Sequence, residues 1–179
     1  MNKRELDELV AKIQDGDEFS FTLLYNETYK GVFSFIYSMI CNYQDAEDLM
    51  QDTFIKVRQN IQGYKIGTNV SAWILQIAKN LTIDFKRKEK KQNTVTLDYI
   101  ENTMPAKSDN VEQKLYLLEK LKECLPEIER QIVVLHIING YKNKEIAKLL
   151  KLPLGTVLWK YNRSMKILKE KIMEERDEK

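Results

Sequence analysis

Apolar residues recur along this chain with helical spacing almost from its first residue. Leu6, Leu9, Val10 and Ile13 fall three and four apart, and Asp15-Gly16-Asp17 then interrupts them. The pattern predicts a long helix from about Glu18 to Ile40, with Phe19, Leu23, Val32, Phe35, Ile36 and Met39 turned inside. Another helix starts near Gln44 and buries Ala46, Leu49, Met50, Phe54 and Val57. Gly63, Gly67, Thr68 and Asn69 mark a loop, after which a fourth helix carries Trp73, Ile74, Ile77, Ala78 and Leu81. These four helices predict one compact domain over residues 1–91.

From residue 92 to residue 110 the periodicity dissolves into Asn, Thr, Ser and Asp with a single proline, Pro105. That composition suits a flexible linker, in which Val95, Leu97 and Ile100 either touch a partner or merely belong to a tether. Helical spacing resumes at Val111 with Leu115, Leu118 and Leu121, and Pro126 stands where a proline can open a further helix. The expected fold class is therefore all-α, with two helical domains (1–91 and 111–179) joined by the linker. No internal repeat is visible.

Charge changes this picture more than bulk composition does. The formal net charge is only +2, yet it is strongly segregated. Residues 1–60 hold 6 Lys/Arg against 11 Asp/Glu, residues 79–91 hold 6 against 2, and residues 141–171 hold 9 against 2. Separate surfaces thus suit separate partners, the basic ones a polyanion; solvated helix faces would give the same counts. The longest apolar stretch, Gly31 to Cys41, is too short and too interrupted by Ser34, Tyr37 and Ser38 to span a bilayer. No apolar segment of a secretion signal follows Met1-Asn2-Lys3-Arg4-Glu5, so a cytoplasmic protein without membrane insertion of its own is expected. Cys41 and Cys124 lie too far apart for a zinc or redox motif and suit helix packing. His136, inside Ile132-Val133-Val134-Leu135-His136-Ile137-Ile138, suits a satisfied, partly buried position rather than a metal site. No nucleophile–base pair, metal cluster or phosphate loop is evident. Neither an enzyme nor a cofactor is expected.

The most specific local pattern is Gly140-Tyr141-Lys142-Asn143-Lys144-Glu145-Ile146-Ala147-Lys148-Leu149-Leu150, followed by Lys151-Leu152-Pro153-Leu154-Gly155-Thr156-Val157. A short amphipathic helix, a tight turn and a second helix make a helix-turn-helix, and small Ala147 lets the helices cross closely. Leu154, Val157, Leu158, Tyr161, Met165, Leu168 and Ile172 form an apolar stripe on the second helix. Thr156, Lys160 and Arg163 share another face, which suits entry into a DNA major groove. A structural hairpin with a solvated basic face is the plainer alternative.

A second cluster is acidic. In Asp45-Ala46-Glu47-Asp48-Leu49-Met50-Gln51-Asp52-Thr53-Phe54, the residues Asp45, Asp48 and Asp52 share one helix face. Early carboxylates also favour the N-terminal end of a helix dipole. This segment closely resembles region 2.2 of bacterial RNA polymerase sigma factors. Ser71-Ala72-Trp73-Ile74, Ile77-Ala78-Lys79-Asn80 and Asp84-Phe85-Lys86-Arg87 resemble regions 2.3 and 2.4, and Leu152-Pro153-Leu154-Gly155-Thr156-Val157 with Arg163 resembles the recognition helix of region 4.2. The likeness runs in family order from about Phe19 to Lys171. The linker falls where larger relatives carry another domain, which is characteristic of the small extracytoplasmic-function branch.

The resemblance implies a promoter-specificity subunit. Asp45, Glu47, Asp48, Gln51, Asp52 and Phe54 would meet core RNA polymerase. Trp73, Lys79, Asn80, Lys86, Arg87 and Lys88 would hold the minus-ten element as single-stranded DNA, with Asn80 beside the pocket for a flipped base. Trp73 suits core packing equally well. Thr156, Trp159, Lys160 and Arg163 would read the minus-thirty-five element as duplex. An anti-sigma factor is a further implied partner. Gln76 stands where the family often has arginine, and Leu158-Trp159-Lys160 where many relatives have Lys-Ser-Arg. Leu158 is expected to pack on the apolar stripe, whereas Trp159 suits thymine methyls, sugar or the helix surface. The acidic residues Glu174-Glu175-Arg176-Asp177-Glu178 suit a frayed end.

Overall fold

The computed structural model describes the backbone of residues 1–92 and 109–177, and the side chains of residues 1–91 and 116–174. The expected tether therefore lies almost wholly outside the described residues. The chain divides into two compact units, the first made largely of the helices before residue 92 and the second largely of those after residue 109. All regular structure among the described residues is helical.

The first unit begins with α1 (Lys3–Gln14), whose Asn2 side chain accepts from the Arg4 and Glu5 amides while Glu5 reaches back to the Asn2 amide. That reciprocal cap satisfies three of the end's orphan donors. Leu6, Leu9, Val10 and Ile13 are buried as the spacing predicts. Asp17 starts α2 (Glu18–Ile40) by accepting from the Phe19 amide and the Ser20 hydroxyl. The Ser20 hydrogen bond also lowers the Asp17 pKa below its ordinary value. Val32, Phe35, Ile36 and Met39 are buried, but Phe19 is 68% exposed and Leu23 37%. The expectation for those two fails because Ser20 and Leu24, one residue further on, define the inward line of the first turns.

Asn42 caps α3 (Tyr43–Asn60) through the Asp45 amide. Ala46, Leu49, Met50, Phe54 and Val57 all point inward, where Phe54 meets Tyr25 edge-on with ring centroids 4.7 Å apart. A 3-10 turn (Ile61–Gly63) leads to a loop that the Gln14 amide ties to α1 through the Ile61 and Tyr64 carbonyls. Asn69 then caps the Ala72 amide at the start of α4 (Val70–Gln92). This helix packs against both α1 and α3. Its buried line holds Val70, Ile74, Leu75, Ala78 and Thr82, whereas Ile77 and Leu81, expected in the core, are half-buried.

In the second unit α5 (Asp109–Cys124) contributes buried Leu118 and Leu121, and Pro126 immediately precedes α6 (Glu127–Ile137) as expected. Ile132, Val133, Val134 and Leu135 form its core line. Gly140, at φ +69°, turns the chain into α7 (Asn143–Leu150), which buries Ile146, Ala147, Leu149 and Leu150. Lys151 closes α7 in the left-handed region at φ 57°, and the Leu152 amide donates back to the Ala147 carbonyl. Two residues later α8 (Leu154–Asp177) begins, packed against α5, α6 and α7. The helix continues through Asp177 with Glu174 exposed, and Glu178 of the expected acidic end lies outside the described residues.

Candidate nucleic-acid interface and acidic face

Three helix faces carry the candidate residues. On α3, Asp48, Gln51 and Asp52 are exposed, and Asp45 and Glu47 are half-buried. Partial burial, with the Asp48 charge behind it, raises the Asp45 pKa above its ordinary value. Phe54 is buried, as its helical spacing predicts, so of the residues expected to meet core polymerase it is the one whose side chain lies inside the unit. The apolar place on the surface is taken by Ile55, 54% exposed and about two turns beyond Asp48. Ile55 is not legible in the spacing, because a lone exposed isoleucine does not stand out among core residues of the same type.

On α4, Trp73, Asn80 and Arg87 are spaced by seven residues, so each lies within about 20° of the last around the helix. Trp73 is half-buried and tilted on the Tyr64 ring, with centroids 5.0 Å apart. It thus does some of the packing and keeps an accessible edge. Exposed Asn80 accepts at Oδ1 from the Gln76 amide at 2.9 Å, which holds its own NH2 group free to donate. Gln76, in the place often taken by arginine, acts here on the orientation of Asn80. Arg87 pairs with Asp84 at 3.5 Å on the open surface, Lys88 is exposed, and Lys79 and Lys86 are half-buried.

On α8 the structure corrects the sequence pattern most. Glu129 of α6 is buried to 2% exposure, and its Oε1 accepts from Lys160 Nζ at 2.8 Å and Arg163 NH1 at 3.3 Å. A buried carboxylate is costly unless paired, so it draws both cations toward α6. Lys160 is consequently committed inside the unit, and Arg163 is shared between Glu129 and the surface. Thr156 is half-buried. The buried line of α8 runs through Val157 and Ser164, with Lys160 and Tyr161 beside it. Leu158, expected to pack, is 41% exposed, and Leu154 and Ile172 are exposed too. The opposite side presents Gly155, Trp159, Asn162 and Lys166.

Trp159 is 59% exposed. Lys160 and Arg163 each lie over its ring, 5.7 Å and 5.6 Å from the centroid. Glu129, Asn162 and Lys166 were not singled out from sequence: the first looks like an ordinary first-turn acid of α6, and the others like solvated helix positions. His136 matches its expectation only in part. It is half-buried as expected and its ring meets Tyr161 at 4.3 Å, but its buried Nδ1 has no hydrogen-bond partner among the described residues. Neither Cys41 nor Cys124 forms a disulfide, and both are half-buried. Among the described residues no group of three or more His, Cys, Asp or Glu could hold a metal ion, and no helix is long and apolar enough to cross a membrane.

Residues 24–92 match the family model of Sigma-70 region 2, and residues 115–168 that of Sigma-70, region 4. The chain is 26% identical to the ECF RNA polymerase sigma factor SigW of Bacillus subtilis, over 91% of this chain and 94% of SigW. It is 30% identical to SigM of the same organism, over 71% of this chain and 79% of SigM. Among solved structures, CnrH in complex with the cytosolic domain of CnrY matches with a TM-score of 0.67 and 19% identity, covering 93% of this chain and 96% of that one. The sigma factor RpoE in complex with the anti-sigma factor NepR from Bartonella quintana matches at 0.66 and 21%, covering 84% and 94%. The structural likenesses speak for the fold, whereas the two regions in family order and the alignment with SigM speak for descent. The chain belongs to the extracytoplasmic-function (ECF) family of RNA polymerase sigma factors.

Proposed function

We propose that this sigma factor binds core RNA polymerase through the exposed face of α3 and directs it to promoters whose two elements are read by different domains. Domain 1 (residues 1–91) opens the DNA and holds the minus-ten strand along α4, where Trp73 offers an aromatic edge, Asn80 a hydrogen-bonding amide, and Lys79, Lys86, Arg87 and Lys88 cations for the backbone. Domain 2 (residues 111–179) places the start of α8 in the major groove of the minus-thirty-five element, with residues 92–110 as a tether. Trp159 and Arg163 face the DNA there, with Thr156 beside them. Lys160 contributes through Glu129 and the Trp159 ring. Phosphodiester chemistry belongs to the polymerase, and the chain works in the cytoplasm.

The observation that carries this reading is the pairing in one chain of an acidic helix face with two cationic, aromatic-bearing helix faces, in the family's order. Opposite charge on the polymerase-facing and DNA-facing helices steers each toward a different partner. An anti-sigma factor is proposed as a regulatory partner, supported by the fold neighbour RpoE, which was solved in complex with the anti-sigma factor NepR.

The test is transcription in vitro by core polymerase over fragmented genomic DNA, with and without this protein, reading the RNA 5′ ends. New starts that share two upstream motifs are expected. Core binding without new starts would point instead to a sigma-like adaptor, and loss of both to an autonomous helix-turn-helix regulator.

A further inference from the structure

The surface at the start of α8 is unusual for a phosphate-binding helix. Two adjacent large apolar side chains, Leu158 at 41% and Trp159 at 59% exposure, stand in water within its first two turns. An apolar patch of this kind on a soluble protein marks a contact site. The same helix-turn-helix is cationic: Lys144, Lys148 and Lys151 on α7 and the turn, and Arg163 and Lys166 on α8, are all exposed. That combination suits a partner with both polyanionic and apolar groups, and the major groove at an A·T pair has both. Phosphates line its edges, and the thymine C5 methyl projects into it.

The tryptophan is also held in place. Lys160 and Arg163 lie over its ring, and both are anchored on the buried carboxylate of Glu129. Cation–π contact with anchored cations restricts the indole to few orientations, so little freedom remains to be lost on binding. Residues early in a recognition helix are the ones that meet base edges.

We infer that Trp159, with Leu158 beside it, reads thymine methyl groups of the upstream promoter element, and that Glu129 is a positioning residue that fixes Trp159 through Lys160 and Arg163. This deepens the proposed promoter reading and rests on it. Sequence discrimination at one or two A·T pairs then comes from apolar contact, with the cations supplying affinity without base preference. A tryptophan that only covered sugar or helix surface would be indifferent to the methyl.

Holoenzyme reconstituted from the full chain and core polymerase tests this on a promoter fragment that it selects in transcription. Each thymine of the upstream element, on either strand, is replaced in turn by deoxyuridine, which pairs alike and lacks only the methyl. Binding should weaken about four-fold at one or two positions, the effect of one lost methyl contact. With Trp159→Ala the same replacements should matter by less than about two-fold, because the contact is already gone. Trp159→Phe should keep part of the sensitivity. Glu129→Gln should reduce it while leaving the helical circular-dichroism signal unchanged. Equal uracil effects in wild type and Trp159→Ala, or none at any position, would overturn the methyl readout while promoter-directed initiation stood. Unchanged promoter binding by Trp159→Ala would overturn it too and assign the patch to a protein partner. Failure to select any promoter would remove the sigma function itself and this inference with it.

Discussion

At the scale of single residues, Glu129 is the best guide to how this molecule handles charge. Its side chain is 3% exposed, against 24% for Lys160 and 49% for Arg163. The two sides of the ion cluster are therefore unequal. Removing the acid leaves cations that can turn toward water, whereas removing Lys160 leaves a buried carboxylate with one longer partner. Lys160→Met should destabilise the second unit by about 1–3 kcal/mol, and Glu129→Met by less than about 1 kcal/mol. Hydrogen exchange of α6 and α8 amides measures both; equal losses would contradict the asymmetry. Little of this was legible beforehand. A helical wheel places Thr156, Lys160 and Arg163 on one face, but it cannot tell that a neighbouring helix offers a buried carboxylate to two of them. By contrast, the core line of α1 could be read directly, since it depends on residues within one or two turns.

Element by element, legibility follows the same logic. The helices and the two breaks around α7 were predictable because spacing, glycine and proline act locally. The left-handed turn at Lys151 was not, since nothing in a lysine announces a positive φ. Replacing it by glycine removes the strain of a Cβ there. Lys151→Gly should stabilise the helix-turn-helix by about 0.5–1 kcal/mol, and Gly140→Ala should cost about 1 kcal/mol, both visible in thermal unfolding. Gly140 has nothing within 4 Å of where a Cβ would stand, so its cost is purely conformational. For α3, the exposed neighbourhood of Asp48 and Ile55 implies a mixed polar and apolar contact. Asp48→Lys should weaken association with core polymerase with a strong dependence on salt. Ile55→Ala should weaken it with little such dependence. Co-purification at two salt concentrations separates these, and unchanged recovery of either variant would remove that residue from the contact.

For the whole molecule, the proposed division of labour between the two units predicts that promoter opening and upstream recognition can be perturbed independently. Asn80→Ala should impair opening, seen as weaker permanganate reactivity of the minus-ten region, with core binding retained. Trp159→Ala should lower promoter affinity with opening unchanged in the complexes that form. The double variant should lose the product of the two single factors, because residues without shared partners combine additively in free energy. A clear departure from that product would show coupling between the units. The two-unit, all-helical plan was legible in the break of periodicity and the return of leucine spacing. The buried faces were less so. Phe19 and Leu23 have the chemistry of core residues, and only the register set by Ser20 and Leu24 puts them outside.

The ion cluster beneath α8 also bears on how such proteins could be rewired. Transplanting a recognition helix from a relative is an obvious route to a new promoter preference, and it treats that helix as a detachable module. Here it is not one. A donor helix lacking cations at positions 160 and 163 would strand the Glu129 carboxylate in the host, and a cationic helix moved into a host without an acid at 129 would arrive with its tryptophan unbraced. Successful grafts into or out of this scaffold should therefore carry three positions together, two on the helix and one on its neighbour.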